Sequence, residues 1–180
     1  PVMFDDRVTA AGPAISVNLD TTVAPGGSGV TFANATKNYT LSGTGKITGS
    51  TGLLKQGAGT VTLSTINDYT GVTKVNGGTL SVATLADGGV ASPIGAADNS
   101  DANIVLASGT LYYTGPATTI DRGFSTTGAG GGIGTDNTLT VTGTVFSNGG
   151  TFYKSGNGNL VLGVDGLNVF GGGVMAGVNV

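Results

Sequence analysis

The sequence predicts an all-β protein that folds as a right-handed parallel β-helix, a solenoid (β-solenoid) of short strands wound around one axis. Three observations support this class: Gly and Thr are abundant, charged residues are scarce, and a short unit of alternating apolar and polar residues recurs. The 180 residues include 35 glycines, and only 9% are charged, against roughly a quarter in an average globular domain. We therefore expect one solenoid spanning residues 1–180, with a continuous core along its axis.

The composition favours strands and turns over helices. All ten acidic residues are Asp. Asp, Asn and Gly are typical of turns, whereas Thr and Val are typical of strands. Glycine interrupts almost every stretch of ten residues, so no capped amphipathic helix is expected. Disorder is not expected either, because the hydrophobic fraction is 38% and the net charge is only −3.

The composition also excludes several functional classes. The chain contains no Cys, so neither a disulfide framework nor a thiolate site is available. The seven basic residues are dispersed along an acidic chain, whereas nucleic-acid binding requires clustered Lys and Arg. No apolar run approaches the ~18 residues needed to span a membrane. We therefore expect no nucleic-acid partner, no membrane span and no cofactor.

A five-residue unit with alternating apolar and polar side chains recurs at 59–63, 78–82, 109–113, 137–141 and 158–162. Its starts are 19, 31, 28 and 21 residues apart, intervals that suit one rung of a β-solenoid with insertions in the loops. The alternation predicts that the apolar side chains fill the interior and that the Thr side chains face solvent. The predicted inward pairs are Val61/Leu63, Leu80/Val82, Leu139/Val141 and Leu160/Leu162, and the predicted outward pairs are Thr60/Thr62 and Thr138/Thr140.

A longer segment is repeated once. Residues 53–64 return as 152–163, with the Lys, two glycines and the final Leu at a constant offset of 99 residues. A related turn follows each copy, at 67–71 and at 168–172. We place the repeat copies near 46–83 and 138–180 within a single β-helix segment.

The first copy matches a known pattern position by position. Residues 55–64 read K-Q-G-A-G-T-V-T-L-S, and residues 67–80 read N-D-Y-T-G-V-T-K-V-N-G-G-T-L. They resemble the autotransporter-associated β-strand repeat, which runs K-x-G-x-G-x-L-x-L-S and then N-x-Y-x-G-x-T-x-V-N-x-G-x-L. The resemblance implies a β-helical passenger or stalk segment of a bacterial protein that is secreted or held at the cell surface in association with the outer membrane. It implies no catalytic residues, since none belong to the repeat.

The sequence offers little catalytic chemistry. With no His and no Cys, the nucleophile–base pairs of hydrolases are missing, and Asp is the remaining candidate acid or base. Glycoside hydrolysis would need two carboxylates roughly 5–10 Å apart in a groove, with Arg122 or a lysine beside them. The groups that are close in sequence are Asp98 with Asp101, and Asp5 and Asp6 with Arg7. We interpret residues 98–101 as a solvated loop in a turn-rich stretch, in preference to a weak cation site or a catalytic pair. We predict that the chain is not an enzyme and has no catalytic, cofactor-binding or metal site.

Residues 131–139 approach the calcium-binding nonapeptide G-G-x-G-x-D-x-U-x. The pattern occurs once, and Thr138 stands where a large apolar residue is required. Because such sites share each Ca²⁺ between successive rungs, a single copy supplies only part of a coordination shell. We interpret the segment as a Gly-rich turn that leads into the strand at Leu139.

Two functions remain open at this point. The favoured one is a structural or adhesive extracellular segment, acting as a passenger stalk, a spacer or a fibre-forming subunit. The alternative is a glycan-binding module of a polysaccharide-associated secreted protein, in which aromatic rings stack on sugars. A convergent, one-sided cluster of Tyr and Asp would favour the alternative, whereas scattered aromatics would favour the first. The candidate rings are Tyr39, Tyr69, Tyr112, Tyr113 and Tyr153, of which the alternation turns Tyr113 inward and Tyr112 outward.

The expected partners are other copies of the chain and a cell surface or glycan. The sequence starts at Pro1 without a helical cap and stops at Val180 inside a degenerate repeat copy. An uncovered β-helix end presents unpaired N–H and C=O groups around an apolar cross-section. We therefore expect the isolated chain to associate head to tail into linear filaments.

Overall fold

The fold consists almost entirely of short strands. A computed structural model describes residues 1–9, 12 and 14–163, together with the backbone of the strands at 169–171 and 175–176. Within these residues the strands are joined by turns, and the one helical element is a 3₁₀ turn at Asp101–Asn103. The all-β prediction is confirmed.

The strands form three sheets that run along the axis of the coil. Sheet A contains β1 (Val2–Asp5), β3 (Val30–Ala33), β5 (Leu53–Gln56), β7 (Thr73–Val75), β9 (Ile104–Leu106), β12 (Phe124–Thr127), β15 (Val145–Asn148) and β18 (Val169–Gly171). Sheet B contains β2 (Ala14–Asn18), β4 (Asn38–Ser42), β6 (Thr60–Leu63), β8 (Gly78–Val82), β10 (Gly109–Tyr113), β13 (Gly131–Thr135), β16 (Phe152–Ser155) and β19 (Met175–Ala176). The short sheet C contains β11 (Thr118–Ile120), β14 (Leu139–Val141) and β17 (Leu160–Leu162).

Neighbouring strands within each sheet come from successive rungs and pair in parallel. The result is a parallel β-solenoid of about seven rungs, as the sequence predicts. The longest interval between repeat units, from β8 to β10, contains a loop that carries the 3₁₀ turn. This loop folds back on the preceding rung, where Asn67 and Ser92 form an antiparallel bridge.

Apolar side chains from all three sheets fill the interior. The predicted inward and outward orientations are confirmed, because every inward residue is at most 7% exposed, and the outward threonines are half-buried. Burying each Leu or Val stabilises the fold by roughly 1.5–3 kcal/mol, and it does so only when rungs stack on both sides. At one end, the rings of Phe4 and Phe32 stack with centroids 4.7 Å apart.

The five recurring units lie in successive rungs, as their spacing suggests, but they do not form one column. The first three pair in register within sheet B, where Thr60, Thr79 and Thr110 are neighbours. The last two lie in sheet C as β14 and β17, and sheet B continues instead with β13 and β16. Alternation alone does not tell these sheets apart, because strands of all three sheets face the same apolar core.

The segment at 131–135 is a strand and not the turn that the sequence suggests. It forms β13, which pairs with β10 on one side and with β16 on the other. The predicted second repeat copy, near 138–180, is described only in part, since residues 164–168, 172–174 and 177–180 lie outside the described residues.

Candidate functional site

The lysine of the repeat motif is an internal corner residue. Lys55 is 0% exposed, and its ammonium group donates to the carbonyl oxygens of Gln56, Gly57 and Gly77 at 3.1, 2.7 and 3.1 Å. Burial lowers the pKa of Lys55 to about 8. The side chain therefore satisfies carbonyl groups at the corner between β5 and β6 and is not available to a ligand.

The asparagine of the motif stabilises the next corner from inside. Asn67 is fully buried. Its Oδ1 accepts the N–H of Ile47 at 2.9 Å, and its Nδ2 donates to the carbonyl of Pro93 at 2.8 Å. These bonds join three successive rungs of the coil, because the three residues belong to different turns of the chain.

The tyrosine and threonine of the motif are also internal. Tyr69 is 0% exposed and its hydroxyl shares a 2.7 Å hydrogen bond with that of Thr73. Its ring lies against the backbone of Gly95, where an added Cβ would come within 2.7 Å of the ring. The motif thus encodes corner packing and hydrogen bonding, and its residues do not form a surface site.

A polar groove of about 310 Å³ is the place where two carboxylates meet. Asp101 and Asp121 line it together with Asn99 and residues 142–144. Asp121 accepts the backbone N–H of Gly88 at 2.7 Å, so this carboxylate is engaged in holding the loop.

The arginine next to this groove does not face it. Arg122 is 1% exposed. Its guanidinium group donates to backbone carbonyls of the loop between β8 and β9, the closest being that of Gly95 at 2.8 Å. The arrangement that glycosidase chemistry would need, two carboxylates with a free cation beside them, is therefore not formed at Arg122.

The other acidic groups have structural partners. Asp98 accepts the N–H of Ser100 at 3.0 Å in an exposed loop, as predicted. Asp5 forms a 2.6 Å ion pair with Arg7. Asp6 accepts the backbone N–H groups of residues 35–37, and these bonds lower the pKa of its carboxyl group. No group of three potential metal ligands occurs in the part of the chain that the structure describes.

The five tyrosines divide into two groups. Tyr39, Tyr69 and Tyr113 are buried in the core, whereas Tyr112 and Tyr153 are half-buried on the outer face of sheet B. The predicted orientations of Tyr112 and Tyr113 are confirmed. Alternation does not indicate that Tyr153 shares a surface with Tyr112, because the two residues lie 41 positions apart in different repeat contexts.

The two outer tyrosines lie on the two strands that flank β13, and their rings extend over β13. Tyr112 of β10 pairs in register with Gly134, and Tyr153 of β16 pairs with Gly132. An added Cβ at Gly134 would lie 2.2 Å from Cδ2 of Tyr112, and one at Gly132 would lie 2.3 Å from Cδ2 of Tyr153. Each ring therefore occupies the space above a glycine. We call Tyr112 and Tyr153, with the two glycines beneath them, the tyrosine platform.

Hydrogen bonds hold both rings in place. The side chain of Tyr153 reaches across β13 to β10, where its hydroxyl group lies 3.0 Å from that of Thr110. The Tyr112 hydroxyl donates to Oδ1 of Asp136 at 2.6 Å. This is a one-sided, convergent cluster of Tyr and Asp. The glycines at 132 and 134 leave room for the two rings, but in the sequence they resemble a calcium-binding pattern and do not by themselves indicate such a cluster.

Comparisons with known proteins agree with the repeat pattern. Residues 53–82 match the family described as the passenger-associated-transport-repeat. The chain is also 37% identical over 167 residues, 89% of its length, to the adhesin BmaC autotransporter of Brucella suis biovar 1 (strain 1330). The resemblance to autotransporter passenger repeats is confirmed. The passenger-repeat match contains Lys55, Asn67, Tyr69 and Thr73, the residues that build the corners.

The match to the adhesin covers only a small part of that protein. The chain spans about 5% of the BmaC adhesin. No solved structure matches the chain, and the described residues include no helix long and apolar enough to cross a membrane. A passenger repeat and an adhesin relative support a secreted or cell-surface location, in agreement with the expectation from the sequence.

Proposed function

We propose that this chain is a structural and adhesive segment of a surface-exposed β-helix. The single observation that carries the proposal is the stacked corner architecture. Within the segment that matches the passenger repeat, Lys55 and Asn67 bond across rungs inside the coil. Tyr69 bonds to Thr73, whose hydroxyl donates to the carbonyl of Ile94 in the next rung. Such a segment extends the axis with each added rung and leaves its outer faces available for contact. The adhesin relative supports an adhesive use of those faces.

The chain acts without catalysis in this proposal. Arg122 is committed to backbone carbonyls, and Asp121 holds a loop N–H. We expect no release of new reducing ends when the purified chain is incubated with soluble polysaccharides. If reducing ends were released and Asp121→Asn abolished the release, the groove would be an active site.

A glycan is the second candidate partner. Tyr112, Tyr153 and Asp136 converge on one face of the coil. Such a convergent cluster favours glycan binding, whereas aromatics scattered over the surface would favour a purely structural role.

The proposed function is tested by coating beads with the folded chain and measuring the retention of host cells under flow. The control is the same coating density of Leu63→Asp, which removes the fold. Small-angle X-ray scattering of the soluble chain measures the rod shape expected of a stalk. A globular scattering profile together with equal retention by the folded and unfolded coatings would contradict the proposal.

A further inference from the structure

Corner packing does not explain the tyrosine platform on the outer face of sheet B. Passenger-repeat corners place their aromatic ring inside the coil, as at Tyr69. Tyr112 and Tyr153 instead lie outside, on opposite sides of β13, and each crosses that strand above a glycine. Each ring contacts the sheet above its glycine, and both residues are partly exposed.

The platform is rigid before any ligand arrives. The hydroxyl group of Tyr153 is hydrogen-bonded to Thr110, and that of Tyr112 to Asp136. The alternation along β13 sets the two covered glycines two residues apart, a spacing of about 6.6 Å. Rings that are already ordered lose little conformational entropy on binding, which raises the affinity of a surface built from them.

Polar groups surround the two rings. Asp136 is exposed beside Tyr112, and the hydroxyl group of Thr110 lies against that of Tyr153. Aromatic faces combined with a few oriented polar groups are typical of sites that bind small polar molecules with apolar patches.

Hydroxyl groups continue the surface along the coil axis. Thr79 and Ser81 of β8 pair in register with Thr110 and Tyr112, and the preceding rung adds an outward pair from β6, Thr60 and Thr62. Because rungs are spaced by about 4.8 Å, an extended ligand along the axis would meet the rings first and then regularly spaced hydroxyl groups.

We propose that the tyrosine platform binds an uncharged glycan chain, with sugar rings packed on Tyr112 and Tyr153 and sugar hydroxyls bonded to Asp136 and to the outward Thr and Ser groups. This inference rests on the adhesive role proposed above and names its partner. The C–H faces of pyranose rings match the apolar faces of the tyrosines. The exposed carboxylate of Asp136 disfavours acidic glycans, and the axial row of hydroxyls favours oligosaccharides over disaccharides.

The test is a titration of the full chain with cellohexaose, chitohexaose and, as an acidic counterpart, an oligogalacturonate. The chain contains no Trp, so its intrinsic fluorescence reports on tyrosine directly. Amide chemical shifts of Gly132 and Gly134 locate the binding site in the wild-type chain without any substitution. We expect an uncharged hexasaccharide to shift these two amides, and the acidic oligosaccharide to bind at least about tenfold more weakly.

Substitutions of the two tyrosines distinguish sugar stacking on an aromatic face from simple apolar packing over the glycines. Tyr112→Leu and Tyr153→Leu keep an apolar cover over the glycines but remove the aromatic face, and each should weaken binding about tenfold. Tyr153→Phe keeps the ring and should bind within about threefold of wild type. The matched surface control is Lys74→Ala, on the exposed face of β7 in sheet A, which should not change binding.

Two outcomes would overturn the inference. One is the absence of shifts at Gly132 and Gly134 with either uncharged hexasaccharide at millimolar concentration. The other is equal binding by the wild-type chain and the folded Leu variants. Either result leaves the adhesive role standing if coated beads still retain cells, whereas loss of retention with intact oligosaccharide binding would contradict the adhesive role and not the platform.

Discussion

At the scale of single residues, the passenger-repeat motif is a set of hydrogen-bonding devices for corners. Lys55 supplies three donors to carbonyl groups that strand pairing leaves open. Lys154 makes the corresponding bond to Gly156 at 2.5 Å but is half-buried. The two lysines share a motif and differ in burial, so they form a natural pair for comparison.

Lys55→Met should destabilise the fold by about 1–3 kcal/mol, because buried carbonyl groups lose their donors. Lys154→Met should cost less than about 0.5 kcal/mol, since its one bond lies near solvent. Chemical denaturation of the three proteins measures both values. Equal costs for the two variants would mean that burial does not determine the role of the lysine.

The same lysine gives a pH dependence with a definite sign. Its pKa is about 8 in the folded chain against the ordinary value of 10.5. Between these values the unfolded chain binds more protons, so stability should rise with pH from about 8 toward 10.5. Desolvation raises the pKa of Tyr113 and acts in the opposite direction above pH 10. The difference between wild type and Lys55→Met at pH 7.5 and 9.5 isolates the lysine, and a constant difference would contradict the prediction.

At the scale of elements, the sequence predicts which side chains face the core but not which sheet a strand joins. The strand, Lys-containing corner and following strand at 53–63 run from sheet A to sheet B. The copy at 152–162 runs from sheet B to sheet C. The motif therefore specifies a corner between two strands, and the length of the intervening loops determines where around the coil that corner falls.

The assigned faces predict that a new carboxylate is far more destabilising on an inward position than on an outward one. Leu63 is 0% and Leu160 2% exposed, so Leu63→Asp or Leu160→Asp buries an unpaired carboxylate and should unfold the chain or cost more than about 4 kcal/mol. Thr62→Asp, on the outer face, should change stability by less than about 1 kcal/mol. Similar melting temperatures for Leu63→Asp and Thr62→Asp would refute the register.

The candidate site was harder to predict than the core, for a physical reason. Alternation shows that Tyr112 faces outward, but the surface it shares with Tyr153 depends on β13, whose glycines carry no apolar–polar signal. Glycine at 132 and 134 is explained only when rings from the flanking rungs are seen to occupy the space of a Cβ. Such a match between distant strands is not encoded in any local pattern.

Gly134→Ala should therefore destabilise the wild-type chain by about 1–3 kcal/mol, since its Cβ overlaps the ring of Tyr112. In a Tyr112→Ser background the overlap is removed, and the cost of Gly134→Ala should fall by at least about 1 kcal/mol. Gly26→Ala is the control, because no atom lies within 4 Å of an added Cβ there. Strict additivity of the two substitutions would show that the ring does not require this glycine.

At the scale of the whole molecule, we expect the stacked rungs to hold the fold without a bound metal. A metal that binds only the folded chain raises its melting temperature by mass action. We expect EDTA to leave the thermal midpoint unchanged, because Asp98 and Asp136 each bond to protein groups. A drop of several degrees on chelation, reversed by Ca²⁺, would identify a site at one of these carboxylates.

The same stacking predicts how isolated chains associate. Among the described residues, β1 and β2 are the terminal strands of sheets A and B, so each leaves one row of N–H and C=O groups without a described strand partner. Beside them, an apolar depression of about 150 Å³ is lined by Phe4, Val17 and other core residues. Because β18 and β19 end the same sheets on the other side, a second copy would stack head to tail and extend into filaments instead of closing as a dimer.

Sedimentation velocity across a concentration series measures this association. We expect the average mass of the wild-type chain to rise steadily with concentration. Val17→Asp places a charge in the half-buried end surface and should hold the chain monomeric, whereas Thr62→Asp adds the same charge on the outer face of the coil and should associate like wild type. A wild-type chain that stays monomeric at hundreds of micromolar would show that this end surface is protected. A Thr62→Asp chain that is also monomeric would assign the effect to net charge and not to the stacking surface.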